Sequence, residues 1–168
     1  PNELVCVTLL ANKEGIDFTN LARKIAGAFG DLLSTNYDDQ HLYLMESQFS
    51  VSETIERLEK ALKKRDIPVF AKFDHAQNAR DVQMDLRETT ILVFGAPSVG
   101  THLMQVDQSI ALELPLKIGV WRDEAGSIWL GFVKSQKLAA PYGMENHPII
   151  QKMQKLLEDL VREAANIY

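Results

Sequence analysis

The sequence predicts a mixed fold in which strands and amphipathic helices follow one another along 168 residues. Residues 91–94 are a short apolar run closed by glycine and proline, which is typical of a buried strand covered on both faces. A capping box at Ser50 opens a helix with one apolar face. Residues 116–121 and 128–133 flank an acidic, glycine-containing loop, a pattern that predicts an antiparallel hairpin.

The N-terminal residues predict a unit of their own. Residues 4–10 alternate as a strand, and Asp17 is a cap for a helix whose apolar positions lie on one face. Residues 41–46 follow as a second strand. We therefore expect residues 1–45 to form a β-α-β extension packed on a core of residues 46–168.

The helix that begins after Ser50 has charged and apolar residues at regular helical spacing. Glu53 precedes Arg57, and Glu59 precedes Lys63, by one helical turn in the order that favours ion pairing. Cations collect at its C-terminal end, where the helix dipole stabilises them, so we interpret them as a solvated helix end and not as a nucleic-acid site. The positions predicted to face the core are Val51, Ile55, Leu58 and Leu62.

Two strand-to-helix junctions carry the polar residues that suggest a site. After a strand over residues 68–73, Asp74 has the position of a helix cap, with Gln77 three residues later. His75 and Asn78 are neighbours on the surface of the short helix that follows. This junction therefore places a histidine next to a carboxylate.

The second junction follows residue 94. Ser98 is predicted to cap the next helix, because its side chain can accept a hydrogen bond from a backbone N–H. His102 and Gln105 fall on a face of that helix away from the core. The residues expected to face the core are Val99, Leu103, Val106 and Ile110.

The spacing of Gly95 and Gly100 resembles that of a phosphate-binding loop, but two defining side chains are missing. Thr101 stands where the lysine of such a loop belongs, and His102 replaces the magnesium-binding hydroxyl. We therefore exclude a nucleotide triphosphatase. A small anion bound by the unpaired N–H groups of the helix start stays open as an alternative to capping by Ser98.

The C-terminal residues predict an amphipathic helix. It begins at Asn146 or His147 and has Pro148 in its first turn, a position that proline favours. Its apolar stripe is predicted to consist of Ile149, Met153, Leu156, Leu160 and Ala164, widened by Leu157 and Val161.

Composition restricts the function. The formal net charge of −5 argues against binding to nucleic acid or to an anionic membrane. Cys6 is the single cysteine, so no internal disulfide can form, and no apolar run approaches membrane-spanning length. No secretory leader is visible, which predicts a cytoplasmic protein, although removal of a leader before Pro1 stays open.

From about residue 46 to residue 143 the chain resembles a widespread prokaryotic family known only as domain of unknown function 302. One departure is Ala96, where the family often has Asn. The segments that carry the resemblance, in order and with compatible spacing, are residues 52–63, residues 73–76 with Ala79, residues 92–97, residues 100–105 and residues 111–117.

The resemblance implies an α+β fold like that of the TATA-box-binding protein, in which helices grip a curved antiparallel sheet. It also implies a homodimer. It implies no established activity, and likeness of fold does not carry DNA binding with it. The predicted architecture is therefore an α+β core with an N-terminal β-α-β extension.

Seven polar residues at the two junctions are the candidate ligand-binding residues, and we expect them to converge on one cleft between sheet and helices. The ligand would be a small anionic or polar molecule, and no cofactor is indicated. The histidines lack the spacing of a zinc site, so no metal is predicted. The candidates are Asp74, His75, Asn78, Ser98, Thr101, His102 and Gln105.

The leading functional hypothesis is a small-ligand-binding or sensing domain without catalytic activity. One alternative is an enzyme that uses His75 or His102 as a general base, because a histidine beside a carboxylate can move a proton. A second alternative is a homodimeric protein-interaction module. A pocket lined by the candidate residues would favour the first two hypotheses over the third.

Overall fold

The computed structural model describes residues 41–166. Within them a five-stranded sheet has every neighbouring pair of strands antiparallel. Its strands are β1 (Leu42–Ser47), β2 (Val69–Asp74), β3 (Thr89–Phe94), β4 (Leu116–Arg122) and β5 (Ile128–Val133), in the spatial order β1-β5-β4-β3-β2.

The helices complete an α+β architecture, which confirms the predicted fold class. The long helices α1 (Val51–Lys63) and α5 (Pro148–Ala165) pack on each other, and both contact the sheet. Short 3-10 turns cover Gln108–Leu112 and Ala140–Tyr142. The helices are α1 (Val51–Lys63), α2 (His75–Asp81), α3 (Pro97–Val106), α4 (Ser135–Ala139) and α5 (Pro148–Ala165).

The strand predicted at residues 41–46 belongs to this sheet. Its residues pair with β5, from Leu42 opposite Val133 to Ser47 opposite Ile128. A boundary between residues 45 and 46 would therefore cut through β1, and the described sheet begins earlier than the predicted core. The remainder of the predicted β-α-β extension, residues 1–40, lies outside the described residues.

Strand β3 is buried on one face and not, as predicted, on both. Thr90, Leu92 and Phe94 are buried, whereas the alternate residues, including Ile91 and Val93, are half-buried. This alternation is typical of an antiparallel sheet that packs its helices on one side. A continuous apolar run therefore did not indicate a doubly covered strand here.

The core face of α1 is confirmed, and most of the stripe predicted for α5 is buried, although Ile150 takes the place of Ile149. All four predicted residues of α1 are buried, and Ser50 caps the helix by accepting a hydrogen bond from Glu53 N. In α5, Ile150 and Leu157 are buried, whereas Ile149 and Leu156 are half-buried. Ile149 and Ile150 are neighbours in sequence, as are Leu156 and Leu157. Only the packing of α5 against α1 and the sheet therefore decides which residue of each pair is buried.

Arg57 joins α1 to the end of α5. Its Nε donates to Ala164 O at 2.9 Å, and its Nη2 donates to Glu163 O at 3.0 Å and to Asn166 O at 2.7 Å. The guanidinium also lies 4.0 Å from the ring centroid of Phe49. The predicted ion pair with Glu53 is therefore replaced by hydrogen bonds to helix-end carbonyls, which a cation stabilises.

Glu163 forms a second contact between the two helices. Lys64 Nζ and Arg65 Nη1 each donate to its carboxylate at 2.8 Å. Hydrogen bonds from Lys64 and then Arg65 hold the pKa of Glu163 below its ordinary value. Two of the cations predicted to form a solvated helix end are thus engaged with α5, and the predicted partner of Lys63, Glu59, pairs instead with Lys72 at 3.0 Å.

None of the helices within residues 41–166 combines the length and the apolar character that crossing a membrane requires.

Candidate functional site

The two junctions that carry the candidate residues lie at opposite ends of β2 and β3. The strands are antiparallel, with Asp74 opposite Thr90 and Val69 opposite Phe94. The helix start after Phe94 is therefore separated from Asp74 by about four strand residues, or roughly 13 Å. The expected convergence of all seven candidates on one cleft is wrong, because the direction of β3 relative to β2 places them in two groups.

The first group consists of Asp74, His75 and Asn78 at the start of α2. Asp74 Oδ1 accepts a hydrogen bond from Gln77 N at 2.8 Å, so this carboxylate caps the helix as its position predicts. His75 is half-buried, and Asn78 is exposed. Within residues 41–166, His75 has no carboxylate as a hydrogen-bond partner.

A small polar cleft of about 240 Å³ adjoins this group. The charged side chains that line this cleft already form ion pairs or hydrogen bonds within the protein. Lys72 pairs with Glu59 at 3.0 Å, and Arg80 donates to the side-chain oxygen of Gln77 at 2.7 Å. Glu88, which also lines the cleft, pairs with Arg122. The cleft therefore offers a polar ligand few groups that are not already engaged.

The second group lies at exposed positions of α3 and consists of Ser98, Thr101, His102 and Gln105. This helix begins at Pro97, and Ala96 is its extended N-cap residue with no side-chain hydrogen bond. The prediction that Ser98 caps α3 is therefore wrong, because proline suits the first helical turn and the helix begins two residues earlier than predicted. Ser98 lies within the first turn and is exposed, as are His102 and Gln105.

Helix α3 buries a narrower face than predicted. Leu103 is fully buried, and Ile110 in the following 3-10 turn is buried as expected. Val99 and Val106, in contrast, are 37% and 63% exposed. The helix packs on the 3-10 turn that follows it. Since α3 packs mainly on this turn, it does not need the wide apolar stripe that four residues would cover.

Beside α3 lies an apolar groove with a volume of about 430 Å³. Its walls come from the end of β3, the start of α3, the segment before β4 and one face of α5. Of the seven candidate residues only Thr101 lines it. The groove is lined by Ile67, Phe70, Phe94, Gly95, Ala96, Pro97, Val99, Gly100, Thr101, Met104, Ala111, Leu114, Pro115, Leu116, Met153 and Leu156.

Two polar groups at the groove wall have hydrogen-bond partners within the protein. The Thr101 hydroxyl donates to Pro97 O at 2.7 Å. The carbonyl of Ala96 accepts from Val99 N at 3.0 Å and from Gly100 N at 3.2 Å. No charged side chain is among the lining residues. The groove therefore presents a hydrocarbon surface that favours apolar ligands.

Two glycines make room in this groove. A Cβ atom built on Gly100 would lie 3.5 Å from Leu114 Cδ1, and one built on Gly95 would lie 3.5 Å from Phe70 Cε2. Both are ordinary van der Waals contact distances, so a methyl group would fit at either position against a side chain of the groove wall. In the sequence these glycines suggested only a phosphate-binding loop. Small residues beside the end of an apolar strand are the signal that could have indicated a groove.

Most other lining residues could not be found by sequence reasoning. Phe70 is an exposed aromatic residue at an irregularity in the β2–β3 pairing, and Met153 lies on α5, far away in the sequence. Nothing in the local pattern links them. Within the described part of the chain, no three His, Cys, Asp or Glu side chains are grouped so that they could hold a metal ion.

Most of the described residues match the model of a known protein family. The model of the family described as domain of unknown function DUF302 matches residues 43–160. The chain belongs to the DUF302 family. The sequence resemblance noted above is thereby confirmed, and the match extends it to β1 and to most of α5.

A solved DUF302 structure shares the fold. The crystal structure of an uncharacterized conserved DUF302 protein from Bacillus stearothermophilus has a TM-score of 0.66 with this chain. The sequences are 24% identical, and the match covers 74% of this chain and 98% of the other. At this identity the likeness concerns the fold alone.

Curated relatives match over a shorter stretch. A protein named fluoride-specific ion channel FluC 1 from Brucella suis biovar 1 (strain 1330) is 39% identical over 92 residues, which are 55% of this chain and 36% of that protein. A protein of the same name from Brucella abortus biovar 1 (strain 9-941) is also 39% identical over 92 residues, which are 34% of its length. The chain therefore spans about a third of the relatives it matches.

Proposed function

We propose that this DUF302 protein is a non-catalytic binding domain that takes a small, uncharged, apolar ligand in the groove beside α3. The observation that supports the proposal is the groove itself, which has about 430 Å³ and no charged lining residue. Ligand sites of proteins are commonly concave, mostly apolar and of about 300–1,000 Å³.

The chemistry of the lining indicates the class of ligand. Thr101 is the single polar side chain at the wall, and its hydroxyl already donates to Pro97 O. An anionic or strongly polar ligand would lose its hydration without gaining a partner, which disfavours it. Met104 and Met153 line the same space, and their flexible thioethers adapt to ligands of varied shape. We therefore replace the small anionic or polar ligand expected from sequence by an apolar one.

The test is binding of N-phenyl-1-naphthylamine, an uncharged apolar dye whose fluorescence rises in a hydrocarbon environment. Two variants of α3 are compared with the unmodified chain. Gly100→Leu places a leucine in the groove, and His102→Leu places the same side chain on the exposed side of the helix two residues later. Circular dichroism establishes that both variants are folded.

We expect the unmodified chain and His102→Leu to bind the dye with similar affinity, and Gly100→Leu to bind at least about tenfold more weakly because its side chain occupies the groove. Equal binding by Gly100→Leu and the unmodified chain would contradict the proposal, since the dye would then bind elsewhere. Loss of binding in His102→Leu alone would instead support a role of that histidine.

The catalytic alternative lacks a supporting observation. Neither His75 nor His102 has a carboxylate hydrogen-bond partner within residues 41–166. His75 begins α2 and His102 lies on α3, and these two helices begin at opposite ends of the paired strands β2 and β3. General-base catalysis by either residue stays a prediction from sequence.

The relatives support an accessory role for such a domain. Proteins named fluoride-specific ion channels contain a segment 39% identical to part of this chain, and that segment is about a third of their length. The described helices are not of the kind that crosses a membrane. We therefore propose that the related segment serves as a binding unit attached to another activity, and that residues 41–166 do not themselves conduct an ion. The homodimer implied by family resemblance is also part of the proposal.

A further inference from the structure

A second cleft, of about 580 Å³, is lined by the C-terminal half of α1, the two residues after it and the C-terminal half of α5. All seven of the described residues that line it are charged, and none of them lines the apolar groove beside α3. We call it the basic cleft, because five of the seven are cations. Its lining residues are Arg57, Lys60, Lys64, Arg65, Asp159, Arg162 and Glu163.

The charge of the basic cleft is opposite to that of the whole chain. Five cations and two carboxylates give its lining a formal charge of +3, whereas the chain carries −5. The C-terminal end of each helix contributes roughly half a negative charge, so about two positive charges remain. A local excess of cations in an acidic protein attracts anions to that place, while the rest of the surface repels them.

The two carboxylates of the basic cleft do not neutralise its cations. Glu163 is shared by Lys64 and Arg65, each at 2.8 Å, so one negative charge serves two positive ones. Within residues 41–166, the hydrogen bonds of Arg57 go to backbone carbonyls, which carry no formal charge. The lining therefore keeps an excess of positive charge after its own contacts are made.

Two cations of the basic cleft pair with carboxylates outside it, one helical turn away on the same helix. Lys60 Nζ lies 4.0 Å from Glu56, at the outer limit for an ion pair, and Arg162 Nη2 lies 3.2 Å from Glu158. The side chains of Lys60 and Lys64 are 74% and 69% exposed. Exposed pairs of this kind contribute little to stability, so a multivalent anion can draw these cations toward the cleft.

The spacing of the cations indicates an extended anion. Arg57, Lys60 and Lys64 recur every three or four residues, so they share one face of α1 and its C-cap. At about 1.5 Å per residue, the distance from Arg57 to Lys64 along the helix is roughly 10 Å, which is longer than a single phosphate group. Guanidinium and ammonium groups are the side chains that bind phosphate oxygens by charge-assisted hydrogen bonds.

We propose that the basic cleft binds a soluble small molecule that carries a chain of two or three phosphate groups. Lys60 and Lys64 bind the phosphate oxygens from the α1 side, and Arg162 binds them from α5. The described lining has no apolar side chain that would enter a membrane, which favours a soluble anion over a lipid headgroup. The inference goes beyond the proposed function, because the apolar groove and the basic cleft share no described lining residue.

The test is isothermal titration calorimetry of the full chain with sodium tripolyphosphate in a buffer free of divalent cations. Lys60→Gln/Lys64→Gln removes two cations of the basic cleft. Lys117→Gln/Lys137→Gln is the matched control, because it changes the net charge equally at two exposed lysines outside the cleft. Asp159→Asn removes a carboxylate of the cleft. Circular dichroism establishes that every variant is folded.

We expect the unmodified chain and Lys117→Gln/Lys137→Gln to bind tripolyphosphate with similar affinity, and Lys60→Gln/Lys64→Gln to bind at least about tenfold more weakly. Asp159→Asn should bind about threefold more tightly, because the variant lacks a carboxylate that repels the anion. The inference would be overturned if the unmodified chain did not bind, or if the two lysine variants bound equally. Weaker binding by Asp159→Asn would also contradict it.

Two further titrations define the ligand. Orthophosphate should bind at least about tenfold more weakly than tripolyphosphate, because it reaches fewer of the cations, and equal affinity would refute the extended anion. Vesicles of phosphatidylcholine with phosphatidylinositol bisphosphate should leave the chain in solution. Binding to these vesicles without binding to tripolyphosphate would refute the soluble ligand.

The outcome is independent of the dye experiment. Lys60→Gln/Lys64→Gln should bind N-phenyl-1-naphthylamine as the unmodified chain does, since the two sites are lined by different residues. A chain that binds tripolyphosphate in the basic cleft but does not bind the dye would retain the anion site and refute the apolar ligand. Binding of the dye alone would retain the apolar ligand and refute the anion site.

Discussion

Arg57 offers a direct measure of how strongly α1 and α5 depend on each other. Replacing it by methionine keeps most of the apolar stem but removes three hydrogen bonds to the carbonyls of Ala164, Glu163 and Asn166. Hydrogen bonds that involve a charged group contribute about 1.5–3 kcal/mol each, and the contact with the Phe49 ring adds about 0.5–1 kcal/mol. The three bonds share one half-buried guanidinium and are not additive, so we expect a loss of about 2–4 kcal/mol in the free energy of unfolding.

Urea denaturation monitored by circular dichroism gives this free energy from the midpoint and slope. Lys60→Met is the matched control, because Lys60 lies on the same helix but is exposed and should change the stability by no more than about 0.5 kcal/mol. Arg57→Lys keeps the charge near the helix end but loses the planar fork, so we expect an intermediate loss of about 1–2 kcal/mol. If Arg57→Met were as stable as Lys60→Met, the carbonyl contacts would not hold α5 in place.

Two further substitutions test the sheet and the charged contact between the helices. A Cβ atom added at Gly131 would overlap Leu44 Cδ2 on the neighbouring strand, so Gly131→Ala should lower the free energy of unfolding by about 1–3 kcal/mol, and a gain in thermal stability would contradict this packing. Hydrogen bonds from Lys64 and Arg65 lower the pKa of Glu163 in the folded chain, so its contribution to stability is present above the ordinary value of 4.5 and is lost as the pH falls through the lowered value. Glu163→Gln should therefore be less stable than the unmodified chain at neutral pH, with a difference that shrinks in acid, and a difference independent of pH would refute the coupling.

Local patterns predicted the elements whose cause is local. Ser50 and Asp74 cap helices as their positions predict, because a cap needs only the residues of one helical turn. The hairpin of β4 and β5 follows from alternation across a short loop. Ser98 shows the limit of such reasoning, since Pro97 competed for the helix start and Ala96 became the N-cap residue.

The candidate site could not be predicted in the same way, because it depends on where segments meet. The candidates at Asp74 and at Ser98 both follow a strand, but the antiparallel pairing of β2 and β3 sends the two junctions to opposite ends of the sheet. The groove instead brings Phe70, Met104 and Met153 together from three separate segments. Family resemblance predicted the sheet and the helices, but not which of their faces would leave a hollow.

The amino-acid sequence by itself determined the mixture of strands and helices, the helix caps and the α1 face that enters the core, because periodicity and hydrogen-bonding side chains act over a few neighbouring residues. Only the tertiary structure decided the direction of β3 against β2, the burial of Ile150 and not Ile149 in α5, and the position of the apolar groove. Those features depend on contacts between residues far apart in the chain, and a hollow exists only where several such segments fail to fill the space between them.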